Sequence, residues 1–238
     1  MFHARRLSFG DVADLYERAR PSYPPEAARW MLGEAPLRVV DLGAGTGKFT
    51  RVVADLGHDV VAVEPDPGMR AALVAATPGV EVLDGSGEAI PLPSSSVDAV
   101  VAAQSFHWFD NDESKVEIAR VLKPGGVLAP IWNVRDESVP WVAELSRAVL
   151  EGDPSAGDHA VEVDFGPLFR PAARREFRHA DQITAATLLD LVHSRSKYLI
   201  ADAEERARLD GALGAITSAL PEVFEFPYVT VAFRAERL

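Results

Sequence analysis

The 238-residue sequence contains no cysteine. That excludes disulfides, thiolate-ligated metal centres and any catalysis that begins with a thiol nucleophile. It also lacks a long apolar run: nothing approaches the roughly 20 residues needed to cross a bilayer. Residues 1–10, MFHARRLSFG, have no apolar stretch of the kind that heads a signal peptide. A cytoplasmic protein with no membrane partner is the expectation. Basic residues are scarce as well, with 24 Lys+Arg against 36 Asp+Glu and a formal net charge of −12. Nucleic-acid binders draw on Lys and Arg to displace counterions from phosphates, so no nucleic-acid partner is expected. The small basic group Arg174, Arg175 and Arg178 reads as a solvated strand edge.

What is present is ordinary for a globular chain: 47% apolar and 25% charged residues. The length suits one α/β domain with some elaboration. Between residues 37 and 133, short apolar runs alternate with helical spacings, the pattern of a parallel sheet wrapped by helices. Strands are predicted at 37–42, 60–63, 80–83, 97–103 and 127–131. Helices are predicted at 48–56, where Phe49, Val52, Val53 and Leu56 share a face, at 67–76 and at 112–122. Lys123, Pro124, Gly125 and Gly126 are read as stopping the last of these. Farther on, the spacing predicts helices at 139–150, 187–200 and 203–220, an irregular cover at 151–171, and short strands at 174–179 and 229–233.

The first strand runs into Asp41-Leu42-Gly43-Ala44-Gly45-Thr46-Gly47. Glycines at such a turn permit positive φ and let the backbone approach a ligand closely, while the next helix start favours negative groups. Three nucleotide-binding loops compete for this pattern. A phosphate-binding P-loop would need glycine where Leu42 stands and Ser or Thr where Phe49 stands. A dinucleotide loop needs G-x-G-x-x-G, but the spacing is G-x-G-x-G, and Phe49 is bulky for the third-glycine role. An acid just before G-x-G-x-G remains. Glu64, at the end of the second strand, is placed to accept hydrogen bonds from both hydroxyls of a ribose.

With these features the sequence resembles the class I S-adenosylmethionine-dependent methyltransferases over roughly residues 8–135. Within them it is most similar to the small-molecule group that includes the ubiquinone-biosynthesis and trans-aconitate types. The resemblance implies a Rossmann-like, doubly wound, mostly parallel seven-stranded sheet, its last strand antiparallel, under a helical cover. It implies a single domain over 1–238, with a helical leader at 1–35, a cofactor-binding core at 36–133, and cover helices and terminal strands at 134–238.

By resemblance, Asp41, Gly43, Ala44, Gly45 and Gly47 lie beside the methionine portion and ribose, and Asp41 orients the amino end. Glu64 matches the ribose-binding acid, and Pro65 and Met69 belong to the segment that packs on adenine. Ser86, Gly87 and Glu88 match the loop at the adenine edge, although Ser86 stands where many members have Asp and Gly87 where many have Ala. Gln104 opens the segment Gln104-Ser105-Phe106-His107-Trp108-Phe109, which faces the reaction centre. The segment 117–126 matches a common helix-to-strand element with a structural job. The leader residues Phe9, Tyr16, Arg20 and Tyr23 match a run that folds over the cofactor, with Tyr16 and Arg20 near its carboxylate end. Tyr16, Arg20, Tyr23 and Trp108 are assigned to the substrate side.

The implied cofactor is S-adenosylmethionine, released as S-adenosylhomocysteine, and the implied partner is a small-molecule acceptor methylated at oxygen, nitrogen or carbon. Such a cofactor carries the difficult chemistry itself, so the protein chiefly positions the reactants. His107 is the candidate base where an acceptor must lose a proton, with a packing role as the bland alternative. Phe106, Trp108 and Phe109 read as an apolar wall. Asn133 and Asp136 lack a third partner at metal-binding spacing, so no metal is expected. The missing thiol disfavours cytosine C5 methylation, and Gln104-Ser105-Phe106-His107 is not the Asn/Asp-Pro-Pro-Tyr/Phe run of base amino-methylating enzymes. Two other functions stay open from sequence: a non-catalytic adenosylmethionine-binding module and an NAD-dependent oxidoreductase. The acceptor and the oligomeric state are not legible.

Overall fold

A computed structural model describes residues 20–150, 163–194 and 196–238. Tyr16, Phe9 and most of the leader therefore lie outside the described residues.

Seven strands form one sheet: β1 (Arg38–Leu42), β2 (Asp59–Val63), β3 (Glu81–Leu83), β4 (Val97–Ala103), β5 (Leu122–Arg135), β6 (Ala173–Thr184) and β7 (Val223–Glu236). Their order is β3-β2-β1-β4-β5-β7-β6. The first five in sequence pair parallel, and β7 runs antiparallel to both β5 and β6. The expected doubly wound sheet with a reversed last strand is thus observed. Between β1 and β4 the order of crossing changes direction, which opens a crevice beyond their carboxyl ends.

The central strands are buried on both faces, so they read as near-continuous apolar runs rather than alternating ones. Successive side chains still go to opposite layers. Val40, Leu42 and Val100 pack with α4 (Asp112–Val121), Phe106, Phe109, Phe165 and Phe233. Val39, Val101 and Ile131 pack with α1 (Pro25–Leu32) and α2 (Lys48–Asp55) through Ala28, Met31, Phe49 and Val53. A third cluster joins α5 (Pro140–Leu145), α6 (Ala185–His193) and α8 (Ala203–Thr217) to Phe224, Phe226 and Tyr228 of β7. This is the helical cover. Among the described residues the remaining α-helices are α3 (Pro67–Ala76), between β2 and β3, and α7 (Ser196–Ile200).

Several elements differ from expectation in extent. β5 begins at Leu122 rather than Val127, because the stretch expected to be a helix stop is drawn into pairing with the chain's end. Gly125 donates to the Arg237 carbonyl at 3.2 Å and Arg237 to that of Gly126 at 2.8 Å. β6 and β7 are 12 and 14 residues long, not short strands, since each passes from the sheet core into the cover cluster. The helix expected at 139–150 is α5 followed by a π-turn, Ser146–Leu150. The helix expected at 187–200 is divided into α6 and α7; after α6 the Ser194 hydroxyl bonds back to Leu191 O at 2.7 Å. Among the described residues no helix is long and apolar enough to cross a membrane.

Candidate active site

The loop after β1 turns sharply because Gly43, Gly45 and Gly47 take φ of +68°, +58° and +84°. The backbone N–H groups of Gly43 and Ala44 both donate to Val63 O, at 2.8 and 3.2 Å, folding the loop over the end of β2. Gly43 is hemmed in: a Cβ there would stand 2.8 Å from Ser105 Cβ and 3.0 Å from the Phe109 ring. Gly45 is the opposite case, with nothing within 4 Å of such a Cβ. The outer side of the loop is open, and α2 starts there without a side-chain cap.

Glu64 is buried beside this loop. Its Oε2 accepts the N–H of Gly45 and its Oε1 that of Asp66, both at 2.9 Å. Burial pushes its pKa up, and the two N–H groups counter part of that shift. Asp66 caps α3 by accepting from Met69 N at 2.8 Å, so Pro65 and the buried Met69 are set directly behind Glu64. Arg70 gathers the turn, donating to Glu64 O at 2.8 Å, to Pro65 O at 2.7 Å and to the Asp84 carboxylate at 3.0 Å. Sequence reasoning passed over Arg70, because a single arginine one turn into a helix carries no motif.

Asp41 is fully buried. Its Oδ2 accepts the Thr50 hydroxyl at 2.7 Å, while Oδ1 has no hydrogen-bond partner. Desolvation, opposed by the Thr50 bond and reinforced by the nearby Glu64 charge, pushes its pKa up to about 7.

After β3, Ser86 and Ala89 exchange backbone hydrogen bonds at 3.2 Å in both directions, and the Glu88 carboxylate accepts from Asn111 at 3.5 Å. The departure at Gly87 now has a cause. A Cβ on Gly87 would lie 2.4 Å from the Phe109 ring, so the room for an alanine methyl is already filled.

After β4, Gln104 adopts φ +57°, rare for a residue with a side chain and of the kind that gathers at functional sites. Its N–H donates to Ile131 O and its Nε2 to Asn133 O, both at 2.9 Å. The expected apolar wall is corrected here. Phe106 and Phe109 are 1% and 2% exposed and belong to the core, with Phe109 wedged beneath Gly43 and Gly87. The reason is the short 3-10 turn Phe106–Trp108, which rolls both phenylalanines inward. Trp108 is half-buried and His107 exposed, their rings 4.7 Å apart. The crowded surroundings of the His107 ring still lower its pKa, since they disfavour the charged form.

A cleft joins these loops. It is lined by Arg20, Pro21 and Tyr23, by Gly43, Ala44, Gly45 and Thr46, by Lys48 and Phe49, and by Ala103, Gln104, Asn133 and Tyr228. Of the expected site residues it brings together Gly43, Ala44, Gly45, Gln104, Arg20 and Tyr23. Asp41, Gly47, Glu64, Pro65, Met69, Ser86, Gly87 and Glu88 stand behind or beside it, and His107 and Trp108 are not in its lining. Tyr23 packs edge-on to Phe49 at 4.9 Å between ring centres.

Asn133 and Tyr228 are additions that sequence reasoning did not assign to a binding site. Asn133 donates to Ser22 O at 2.9 Å and accepts the Thr230 hydroxyl at 2.6 Å, fastening the residues before α1 to the sheet. Its hydrophobic surroundings in sequence gave only a faint signal. Asp136, once paired with Asn133 as a possible metal ligand, instead meets Arg178 and accepts the Ser138 hydroxyl at 2.6 Å. Arg178, Arg174 and Arg175 lie on the edge strand β6, with Arg174 paired to Glu176 at 2.6 Å. Among the described residues no three His, Cys, Asp or Glu side chains gather as a metal-binding group.

Residues 40–129 match the family profile of a methyltransferase domain. The chain is 43% identical over 235 residues to an uncharacterized methyltransferase of Mycobacterium tuberculosis, spanning 96% of this chain and 95% of that one. It is 36% identical over 241 residues to an uncharacterized methyltransferase of Schizosaccharomyces pombe, spanning 96% of each. Among solved structures, a provisionally assigned type II methyltransferase from Anaeromyxobacter dehalogenans superposes with a TM-score of 0.66 at 24% identity. That superposition covers 92% of this chain and 97% of the other, a likeness of fold. With relatives this similar along nearly their whole length, and with this strand order, the chain belongs to the class I S-adenosylmethionine-dependent methyltransferases.

Proposed function

We propose that the cleft holds S-adenosylmethionine against the glycine loop and transfers its methyl group to a small-molecule acceptor at oxygen, nitrogen or carbon. The observation that carries this reading is the Glu64 carboxylate bound to the Gly45 N–H at the open side of the loop. Each Glu64 oxygen accepts one backbone N–H and retains a further lone pair, which is what two neighbouring ribose hydroxyls require. Asp41 fits a cationic ligand, since its Oδ1 is buried without a partner.

When bound, the cofactor supplies an electrophilic methyl on its sulfonium. The remaining work is done by the chain. Gly43, Ala44 and Gly45 present backbone to the ligand, and Gly47 lets the chain enter α2. Pro65 and Met69 offer an apolar side to the adenine, while Ser86, Gly87 and Glu88 border its edge. Gln104, its amide fixed on Asn133 O, lines the cleft. Arg20 closes the cofactor's carboxylate end. The acceptor side is formed by Tyr23, Asn133 and Tyr228. His107, kept neutral near pH 7 by its lowered pKa, is available to take a proton where the acceptor has one to lose.

Calorimetric titration with S-adenosylmethionine, S-adenosylhomocysteine and NAD tests this. Binding of the two sulfur ligands and not NAD is expected. Binding of NAD alone would overturn it. A metabolite screen read by mass gain of one methyl group then identifies the acceptor.

A further inference from the structure

Thirteen residues, 84–96, connect β3 to β4, and β3 itself is a three-residue strand at the sheet edge. Such a connection has little sheet to lean on. Its support comes from α4 instead. Asn111, the helix cap, and Ser114, Glu117 and Arg120 recur every three residues, so they share one ridge of the helix. Each member of that ridge meets the connection. Asn111 reaches Glu88, and the buried Ser114 hydroxyl lies 2.9 Å from where a Cβ on Gly87 would be.

Glu117 and Arg120 do most of the holding. Ile90 donates its N–H to Glu117 Oε1 at 2.8 Å and receives Arg120 Nη2 on its carbonyl at 3.0 Å. One ion pair thus meets both backbone groups of one loop residue, sharing the carbonyl with the Leu92 N–H, which lies 2.7 Å from it. Arg120 Nη1 takes the Leu92 carbonyl at 2.8 Å, and the pair is closed by two bonds, Nε to Oε2 at 2.6 Å and Nη2 to Oε1 at 2.8 Å. This is the rigid two-pronged geometry that a guanidinium provides and an ammonium does not. Were it only a surface ion pair it would contribute little. Here Glu117 also carries the Ile90 N–H and Arg120 the Leu92 carbonyl, for which the ion pair is the partner.

We infer that Glu117 and Arg120 are positioning residues for the cofactor's adenine, holding the Ser86–Gly87–Glu88 edge at the height that lets it read the base. Neither residue lines the cleft. The inference rests on the functional reading above, which puts adenine against that edge.

The test compares S-adenosylhomocysteine with S-inosylhomocysteine, in which a carbonyl replaces the adenine amino group, by calorimetry on the full chain. The wild-type protein is expected to prefer the adenine ligand. In Glu117→Ala and Arg120→Gln, affinity for S-adenosylhomocysteine is expected to fall about tenfold, the equivalent of roughly 1.4 kcal/mol. The preference between the two ligands is expected to shrink toward one. Glu117→Gln, which still accepts from Ile90, should restore most of both. General loss of stability would weaken the two ligands alike and leave their ratio unchanged. An unchanged ratio in folded variants therefore overturns the inference while leaving the cofactor assignment standing. If Glu117→Ala does not fold, Arg120→Lys, which keeps the charge and loses the fork, makes the same comparison. A wild-type protein that binds neither ligand overturns the cofactor assignment and this inference with it.

Discussion

Glu64 accepts the backbone N–H of Gly45 at 2.9 Å, so the acid that ends β2 is fastened to the loop that ends β1. The two halves of the proposed nucleoside site are thereby set relative to each other by the protein alone. Because both Glu64 oxygens face N–H donors, an amide is a poor substitute: one prong of a glutamine would set N–H against N–H. Hydrogen bonds to charged groups are worth roughly 1.5–3 kcal/mol. Glu64→Ala is expected to weaken S-adenosylhomocysteine binding by about 10- to 100-fold, and Glu64→Gln nearly as much. Calorimetry on folded variants decides it, and unaltered affinity in Glu64→Ala would remove this residue from the site.

Gly45 and Gly87 should fail in different ways. Gly45→Ala adds a methyl into open space at φ +58°, so its cost in stability is about 1 kcal/mol while cofactor affinity collapses. Gly87→Ala drives a methyl into the Phe109 ring, and overpacking of this sort costs about 1–3 kcal/mol. Phe109→Leu in the same chain should recover part of that loss. Urea unfolding measures both, and the expectation is wrong if Gly87→Ala unfolds like the wild type.

Asp41 makes stability depend on pH in a definite direction. Its carboxyl is pushed up to about 7, against 3.8 ordinarily, so the folded chain holds a proton that the unfolded chain has lost. Stability therefore declines as pH rises through that interval, and the penalty is complete above the folded value. Asp41→Asn is expected to flatten the decline and to gain up to a few kcal/mol at pH 8 relative to the wild type. Unfolding at pH 5 and pH 8 provides the comparison. A cationic ligand near Asp41 should also pull its pKa down, so cofactor binding near pH 6.5 should release a proton. Equal binding heats in two buffers of different ionisation enthalpy would contradict this.

His107→Gln separates chemistry from packing. If His107 takes the acceptor's proton, turnover falls about 100-fold or more while S-adenosylhomocysteine affinity is retained. The wild-type rate should then rise with pH through a midpoint below the ordinary histidine value, as the lowered pKa requires. Full turnover in the variant would leave His107 a packing partner of Trp108.

The glycine turn and the acid beside it were legible because local chemistry writes them. Positive φ at Gly43, Gly45 and Gly47 favours glycine, an acid at 64 ends a buried strand, and both lie within a few residues of their own elements. Phe109 shows where such reading stops. As one aromatic in an apolar run it reads as part of an apolar wall, yet its ring is the seat of Gly43 and Gly87. No spacing rule encodes that, since the contact joins loops from three strands.

By itself the sequence determined the parallel core, the glycine turn and the acid beside it, because period, turn chemistry and strand burial act over short stretches of chain. Tertiary structure alone decided how far β6 and β7 extend, since their ends are held by the cover cluster rather than by local propensity. It also decided that Asn133 and Tyr228 meet the glycine loop across the cleft. Those contacts close over long stretches of chain, and only the completed antiparallel pairing of β5 with β7 sets their register.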